Sequence, residues 1–387
     1  MKSPYIAKRY WNSKSSSLGQ SSDPSLLYSD LINFSLGDPD LNTDERIIKG
    51  AFEDALNGHT HYTESAGRLE LRQGIVDYFK ERFDYNITPD EVMITTSACH
   101  AMTLALEATL DDGDEIIIPT PHFSLYTEQV VLARGVPILV ETFEEEDFQL
   151  DIGRLEAKIT NRTKGIILNT PNNPTGACLS RRNLEEIALV AKKYDLLVFS
   201  DDIYTIYSYD EPFVPMTTLE DMKKRTITLG SFSKDYCMTG WRIGYVLANS
   251  NLIDIIRTIN DNIIYSAPSI SQQAAIHALS LRNEIQPALV DEFKKRTFYA
   301  YERLKKLKNV TILSPKGTFY LFPNIKETGL SSNEITQKIL EEAHVLVIPG
   351  HVFGDTGEGY IRLACTLSVD KMKEAFDRIE KMKIFRR

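Results

Sequence analysis

The sequence predicts an α/β fold, a mainly parallel central sheet with helices on both faces, together with a smaller α+β part. Two observations carry this. From residue 91 onward, short runs rich in Ile, Leu and Val alternate with helical patterns of about 10 to 15 residues, the rhythm of strand, crossover helix and strand. These runs are apolar on both faces, as strands of a sheet covered on both sides are. After about residue 283 the rhythm changes, which marks the smaller part.

In order, EVMITTS precedes the helical ACHAMTLALEATL, and DEIIIPTP precedes HFSLYTEQVVLARG. KGIILNTP precedes SRRNLEEIALVAKKY, and the strands LLVFSDD and TITLGSFS follow. Beyond them come a long charged helix (PALVDEFKKRTFYAYERLKKLK), a hairpin-like VTILSPKGTFYLFP, another helix, VLVIPG and YIRLACT, and a closing helix. The expected division is a large domain over 45–282 and a small one built from 1–44 and 283–387. There is no internal repeat and no low-complexity linker.

Composition narrows the function classes. A net charge of −10, with 44 basic and 54 acidic residues and no basic block, gives no surface for neutralising nucleic-acid phosphates. No stretch approaches the ~18 apolar residues of a membrane span. Cys99, Cys178, Cys237 and Cys365 lie far apart with no C-x-x-C, against a disulfide framework or a thiolate zinc site and in keeping with a reducing cytoplasm. The opening MKSPYIAKRYWNSKSSS lacks an apolar core after its basic residues and reads as an arm rather than a secretory signal.

In parallel sheets ligands gather beyond the C-terminal strand ends, so the polar residues closing each strand are the ones to weigh. Here they are Ser97, Asn169 and Asn173, Asp201, and Ser231 with Lys234. A lysine alone reads as a surface residue. Lys234, however, stands between Ser231 and Ser233 on one side and Arg242 on the other. An amine that can form a Schiff base, hydroxyls, and a guanidinium able to grip a phosphate suit an aldehyde cofactor bearing a phosphate.

SFSKDYCMTGWRIGY (231–245) resembles the lysine segment of the fold type I pyridoxal-phosphate enzymes, in particular the class I and II aminotransferases related to aspartate and aromatic aminotransferases. Further stretches stand in that family's order: FSLGDPD (34–40), HYTESAGRLELR (61–72), NTPNNPTG (169–176), SDDIY (200–204), KGTFYLFP (316–323) and GYIRLACT (359–366). The resemblance covers nearly the whole chain. It implies a fold type I transferase that binds pyridoxal 5′-phosphate and moves an amino group from an L-amino acid to a 2-oxo acid.

Position by position, the resemblance implies that Lys234 forms the Schiff base and moves the proton between the α-carbon and the cofactor. Asp201 would face the pyridine nitrogen; its neighbour Asp202 is the rival, and the three-residue spacing to Tyr204 selects Asp201. Asn173 and Tyr204 would hydrogen-bond the phenolic oxygen, with a plain turn as the other reading of PNNPTG. Ser97, Ala98 and Cys99 open a helix after a strand and would receive the phosphate together with Ser231 and Arg242. Relatives often carry a lysine or another polar side chain where this chain has Cys99, so backbone donation is what remains there. Phe123 would stack on the ring, with core packing as the alternative. Tyr62 would reach the phosphate of a neighbouring subunit, which makes the active unit a homodimer with sites at the interface. Arg362 would clamp the substrate α-carboxylate, and Asn173 and Gly37 would lie against the same group, Gly37 being otherwise a loop glycine.

Other features read as bland. His59 and His61 lack the further ligands of a metal site, EEEDF (144–148) is a solvated turn, and Cys178 and Cys365 are packing residues. A carbon-sulfur β-lyase on the same scaffold is the nearest rival function. A cofactor-binding regulator without turnover is another, although the stretch before INFSLGDPD is too short and polar for a winged helix. A dinucleotide-binding dehydrogenase would need a G-x-G-x-x-G that is absent. NIIYSAPSISQ (262–272) holds no arginine to meet a second carboxylate, which leans towards aromatic or other apolar donors.

Overall fold

The computed structural model describes residues 5–7 and 28–386; apart from 5–7, the expected N-terminal arm lies outside the described residues. A short strand β1 (Ile32–Asn33) leads to helices α1 (Glu45–Leu56) and α2 (Leu69–Phe83). The chain then runs through β2 (Val92–Thr95), α3 (Ala98–Thr109), β3 (Glu115–Thr120), α4 (Leu125–Leu132), β4 (Val136–Glu141) and α5 (Ile152–Ala157). Next come β5 (Thr163–Asn169), α6 (Arg181–Lys193), β6 (Leu197–Asp201), β7 (Thr226–Ser231), α7 (Phe232–Asp235) and β8 (Gly244–Leu247). Helices α8 (Ser250–Asp261), α9 (Ser269–Ser280) and α10 (Arg282–Leu304) follow. The last stretch holds β9 (Tyr320–Leu321), α11 (Ser332–Ala343), β10 (Val345–Leu346), β11 (Ile348–Pro349), β12 (Ile361–Ala364) and α12 (Val369–Ile379). Among the described residues no helix is long and apolar enough to cross a membrane.

The seven-stranded sheet has the order β2-β8-β7-β6-β5-β3-β4 and is parallel except for β8, which runs against both its neighbours. Its covering on both faces follows from the two-residue period of strands. On β3, Ile116 and Ile118 join the cluster formed with α3, α4 and α8, whereas Ile117 joins the one formed with α5 and α6. Ile167 and Phe199 go to the first face; Ile166, Leu168 and Val198 go to the second. An apolar residue at every position is therefore required, which is why these runs look uninterrupted in the sequence.

Two strands escape the sequence pattern. β4 pairs with β3 along its whole length at the sheet edge, where Pro137 is tolerated because one side of an edge strand makes no ladder. β8 begins within GWRIGY and runs on to Leu247, and its first residue, Gly244, faces Ser231 in register. The Lys234 segment is thus the connection of a hairpin closed at its base by that pair. The helix expected from Pro287 starts earlier, at Arg282, and Pro287 lies within it. The expected hairpin of VTILSPKGTFYLFP is replaced by a bridge from Thr311 to Asn324, the residue just past that stretch, while Tyr320 and Leu321 pair with β12.

The C-terminal elements share one apolar cluster, with Phe293, Phe319, Ile335, Ile339, Leu363 and Phe376 at its centre. Ile32 and Phe34 enter it from the N-terminal side, and β1 pairs in parallel with β10. β9, β12 and β11 form a three-stranded antiparallel sheet. Tyr204 and Tyr207, just past β6, belong to the same cluster and tie it to the main sheet.

The central strands carry the site on a sheet packed on both faces. Ile167→Ala, at a residue 1% exposed, leaves a cavity in the middle of β5 and is expected to cost about 3 kcal/mol of stability, read as a lower urea midpoint with an unchanged slope.

Candidate active site

A pocket of about 310 Å³ opens where β5, β6 and β7 end. Lys234 enters it from α7, a single turn started by Ser231, whose hydroxyl accepts from the Ser233 N–H at 3.1 Å. The lysine is fixed at both ends. The Tyr207 hydroxyl donates to its carbonyl at 2.8 Å, and its Nζ donates to the Gly37 carbonyl at 2.5 Å.

Asp201 closes β6 and is buried in the pocket wall. Its Oδ2 accepts from the Tyr126 hydroxyl at 2.5 Å, whereas its Oδ1 is buried without a donor among the described residues. Burial pushes this carboxyl up to about 6, and the Tyr126 hydrogen bond opposes the rise. Asp202 points to the other face of the strand, accepts from Ser200 Oγ at 2.6 Å and does not line the pocket. The strand pleat therefore separates the two candidates, and Asp201 is the one in the pocket.

Arg362 sits on β12, 3% exposed, with its guanidinium 4.7 Å from the Tyr320 ring centre and 4.9 Å from that of Phe353. One terminal nitrogen donates to Asn173 Oδ1 at 3.0 Å and the other to the Ser35 carbonyl, but Nε is buried without an acceptor. Among the described residues no carboxylate pairs with it, and burial holds its guanidinium below the usual range. Asn173 is placed by Asn169, whose Oδ1 accepts from the Asn173 N–H at 2.9 Å. PNNPTG does form a turn, with Thr175 bonded to Asn172 and Gly176 at φ +70, and the same turn puts Asn173 in the pocket.

Opposite these groups, Ser97 caps α3 through its Oγ, which accepts from the His100 N–H at 3.3 Å. The N–H groups of Ala98 and Cys99 belong to the free first turn of that helix. Gly244 packs against them so closely that a Cβ there would lie 2.9 Å from the Ala98 nitrogen. Ser231 and Ser233 complete this end of the pocket, and Arg242 donates to the Thr239 carbonyl at 3.0 Å with its side chain exposed. The Cys99 thiol is pushed up by burial, so it is a neutral wall. Phe123 serves both readings: it lines the pocket and packs on the α3–α4 cluster, edge-on to Tyr126.

Gly37 is glycine for a steric reason, since a Cβ would fall 1.8 Å from the Tyr320 hydroxyl. It belongs to a segment, 35–43, hydrogen-bonded on both sides of the pocket. Ser35 and Leu36 carbonyls accept from Arg362 and from Thr366 Oγ1. Further along, Asp38 accepts from Thr239 Oγ1 at 2.6 Å, and the Thr43 hydroxyl donates to the Cys237 carbonyl at 2.7 Å.

Ser97, Ala98, Cys99, Phe123, Asn173, Asp201, Tyr204, Ser231, Lys234, Arg242, Gly37 and Arg362 thus share one pocket. Tyr62 does not: it is 89% exposed, outside this pocket, edge-on to Tyr265. Sequence reasoning gave no role to Tyr126 or Tyr320. Tyr126 stands three residues after Phe123, a spacing that returns a side chain to the same helical side; Tyr320 lies within KGTFYLFP without any local mark of its contacts.

These residues fit pyridoxal phosphate. A buried carboxylate oxygen without a donor suits a protonated ring nitrogen, and free helix N–H groups beside serine hydroxyls and an exposed guanidinium suit a phosphate. The Asp201 shift also has a consequence for stability. With a folded-state value of about 6 against an ordinary carboxyl near 3.8, the cofactor-free protein holds the proton more tightly when folded. This contribution is complete below about pH 4 and lost as the pH rises through 6, a loss of about 3 kcal/mol by pH 7. Urea unfolding of cofactor-free Asp201→Asn is expected to lack that part of the slope.

The sequence profile of the family "Aminotransferase class I and II" matches residues 29–379. The chain is 40% identical to an aspartate aminotransferase of Pyrococcus abyssi over 91% of this chain and 92% of that protein. It is 38% identical to aromatic-amino-acid aminotransferase 2 of Thermococcus litoralis over 91% of each chain. The crystal structure of an aromatic aminotransferase from Pyrococcus horikoshii superposes with a TM-score of 0.89 at 37% identity, over 93% of this chain and 97% of that one. The chain therefore belongs to the class I and II aminotransferases and is a pyridoxal-phosphate-dependent transaminase.

Proposed function

We propose that this transaminase takes its amino group from L-amino acids with aromatic or other apolar side chains, using Lys234 as the base and Arg362 as the carboxylate clamp. The observation that carries the reading is Arg362: a buried guanidinium without an acidic partner, in the same pocket as a fixed lysine amine. A buried unpaired cation is costly, and an incoming carboxylate offsets that cost through a bidentate pair.

Bound pyridoxal phosphate supplies an aldehyde that captures the amine and a ring that accepts the electron pair of the breaking α-carbon bond. The N–H groups of Ala98 and Cys99, with Ser231, Ser233 and Arg242, would hold the phosphate. Asp201 Oδ1 would accept from the ring N–H and keep it protonated, while the Tyr126 hydrogen bond favours the ionised carboxylate. Asn173 and Tyr204 would orient the phenolic oxygen, and Phe123 would cover one ring face. Arg362 and Asn173 fix the donor's α-carboxylate, which sets the α-carbon proton towards Lys234 Nζ. The lysine amine would take that proton and hand it across the nitrogen to the carbon that was the cofactor's aldehyde, and water would then release the 2-oxo acid by hydrolysis.

The donor class rests on the rest of the lining. Lys234, Arg242 and Arg362 are its basic side chains, and each has a role already. The rest of the wall includes apolar Leu36, Met102 and Ile203 and neutral polar Gln129, Asn169 and Thr239, with the Asp38 carboxylate beside them, a lining without a further cation that favours an apolar side chain over a second carboxylate. The relatives' names include both aromatic and aspartate enzymes.

A cytoplasmic homodimer is part of the same proposal. Exposed Tyr62, Ile263, Ile264 and Tyr265 support a subunit contact on the Tyr62 face. The apolar cluster that gathers 283–386 with Ile32 and Phe34 supports the division into domains 45–282 and 1–44 with 283–387.

Single-turnover spectra of the holoenzyme with a panel of L-amino acids test the reading. Phenylalanine, tyrosine, leucine and methionine are expected to convert the cofactor to its amine form with a matching 2-oxo acid, at least about tenfold faster than aspartate. Arg362→Lys is expected to raise half-saturating donor concentrations about tenfold to a hundredfold, the worth of a charge-assisted bidentate pair. Release of pyruvate and ammonia from cysteine-type substrates would make the protein a lyase instead.

A further inference from the structure

The Tyr320 hydroxyl lines the pocket, and among the described residues its proton has no recorded acceptor. It accepts from the Tyr204 hydroxyl at 3.0 Å and makes no donation of its own. The side chain is 2% exposed and lines the pocket. Three neighbours fix it. Its ring lies under the Arg362 guanidinium at 4.7 Å and edge-on to Tyr204 at 5.7 Å, and its hydroxyl fills the space where a Gly37 side chain would begin. The backbone holds it as well, since its N–H donates to Thr318 Oγ1 at 3.0 Å and it pairs with Ala364 across β9 and β12, two residues from Arg362.

A phenol fixed by so many contacts, beside a buried guanidinium with an unpartnered Nε, makes a two-point receiver. A carboxylate has two oxygens and about four acceptor sites. One oxygen can take Arg362, and the other can take an O–H donor on the opposite side. We propose that Tyr320 is a substrate-contact residue: its hydroxyl donates to the α-carboxylate of the amino-acid donor while accepting from Tyr204. The inference rests on the assignment of Arg362 to that carboxylate. It makes Tyr320 a joint between the carboxylate clamp and Tyr204, so that seating of the carboxylate polarises the Tyr204 hydrogen bond in the same movement.

Tyr320→Phe tests this, because it keeps the ring over Arg362 and its packing and removes the hydroxyl alone. The probe is 3-phenylpropanoate, a carboxylate without an amine, whose binding to the holoenzyme is read by calorimetry and needs no turnover. Tyr320→Phe is expected to weaken it about tenfold and to raise KM for phenylalanine by a similar factor, with a smaller change in kcat. The same loss is expected when Tyr320→Phe is placed on Tyr204→Phe. Unchanged probe affinity in Tyr320→Phe, or a loss that vanishes in the Tyr204→Phe background, overturns the contact. Arg362→Lys separates the two levels: if it too leaves the probe unaffected, the carboxylate assignment itself fails, whereas a loss there with none in Tyr320→Phe removes the Tyr320 contact only. Melting temperatures of all variants, expected within a few degrees of the parent, keep misfolding apart from lost recognition.

Discussion

Unpaired charge in a dry place is the constraint on which this structure turns. Asp201 presents a buried carboxylate oxygen without a donor, and Arg362 a buried guanidinium without an acid. The bonds they do make are to other groups, Asp201 Oδ2 from Tyr126 and the Arg362 terminal nitrogens to Asn173 and Ser35. Keeping such groups in place demands a rigid surround. The parallel strands give the carboxylate its position, and the aromatic faces of Tyr320 and Phe353 confine the guanidinium without neutralising it.

Much of this was legible in the chain, and the parts that were not share a physical cause. Strands covered on both faces need apolar residues at consecutive positions, so β3, β5 and β6 could be read as runs, whereas β7 alternates Thr226 and Thr228 with Ile227 and Leu229. β4 sits at an edge and β8 turns back inside a motif dominated by Gly, Trp and Arg, so neither gives such a run. At the site, residues that close a strand could be found by position. Tyr126 and Tyr320 could not, because their partners Asp201 and Tyr204 lie 75 and 116 residues away. The choice of Asp201 over Asp202 is an intermediate case, settled by the alternation of side chains once the register is known.

Packing and chemistry draw on the same residues at one point. Tyr204 and Tyr207 belong to the apolar cluster of the C-terminal elements, yet the first faces the pocket and the second holds the Lys234 carbonyl. Rings from Phe293 and Phe319 press on Tyr207, so the position of the lysine backbone depends on a core some distance from it in sequence. Core substitutions in that cluster are therefore felt in the site as displacement before they are felt as unfolding.

The segment 35–43 acts as a ruler. Its carbonyls at Ser35 and Leu36 are read by the Arg362 strand and its neighbour Thr366, and those of its groups at Gly37, Asp38 and Thr43 by the Lys234 to Thr239 stretch. The spacing between the group that receives a carboxylate and the amine that takes a proton is thereby set by a count of peptide units rather than by the size of any side chain. An inserted or deleted residue would shift both ends of this tract out of step at once, and the missing side chain of Gly37 and the polar ones of Asp38 and Thr43 fix the register at single positions.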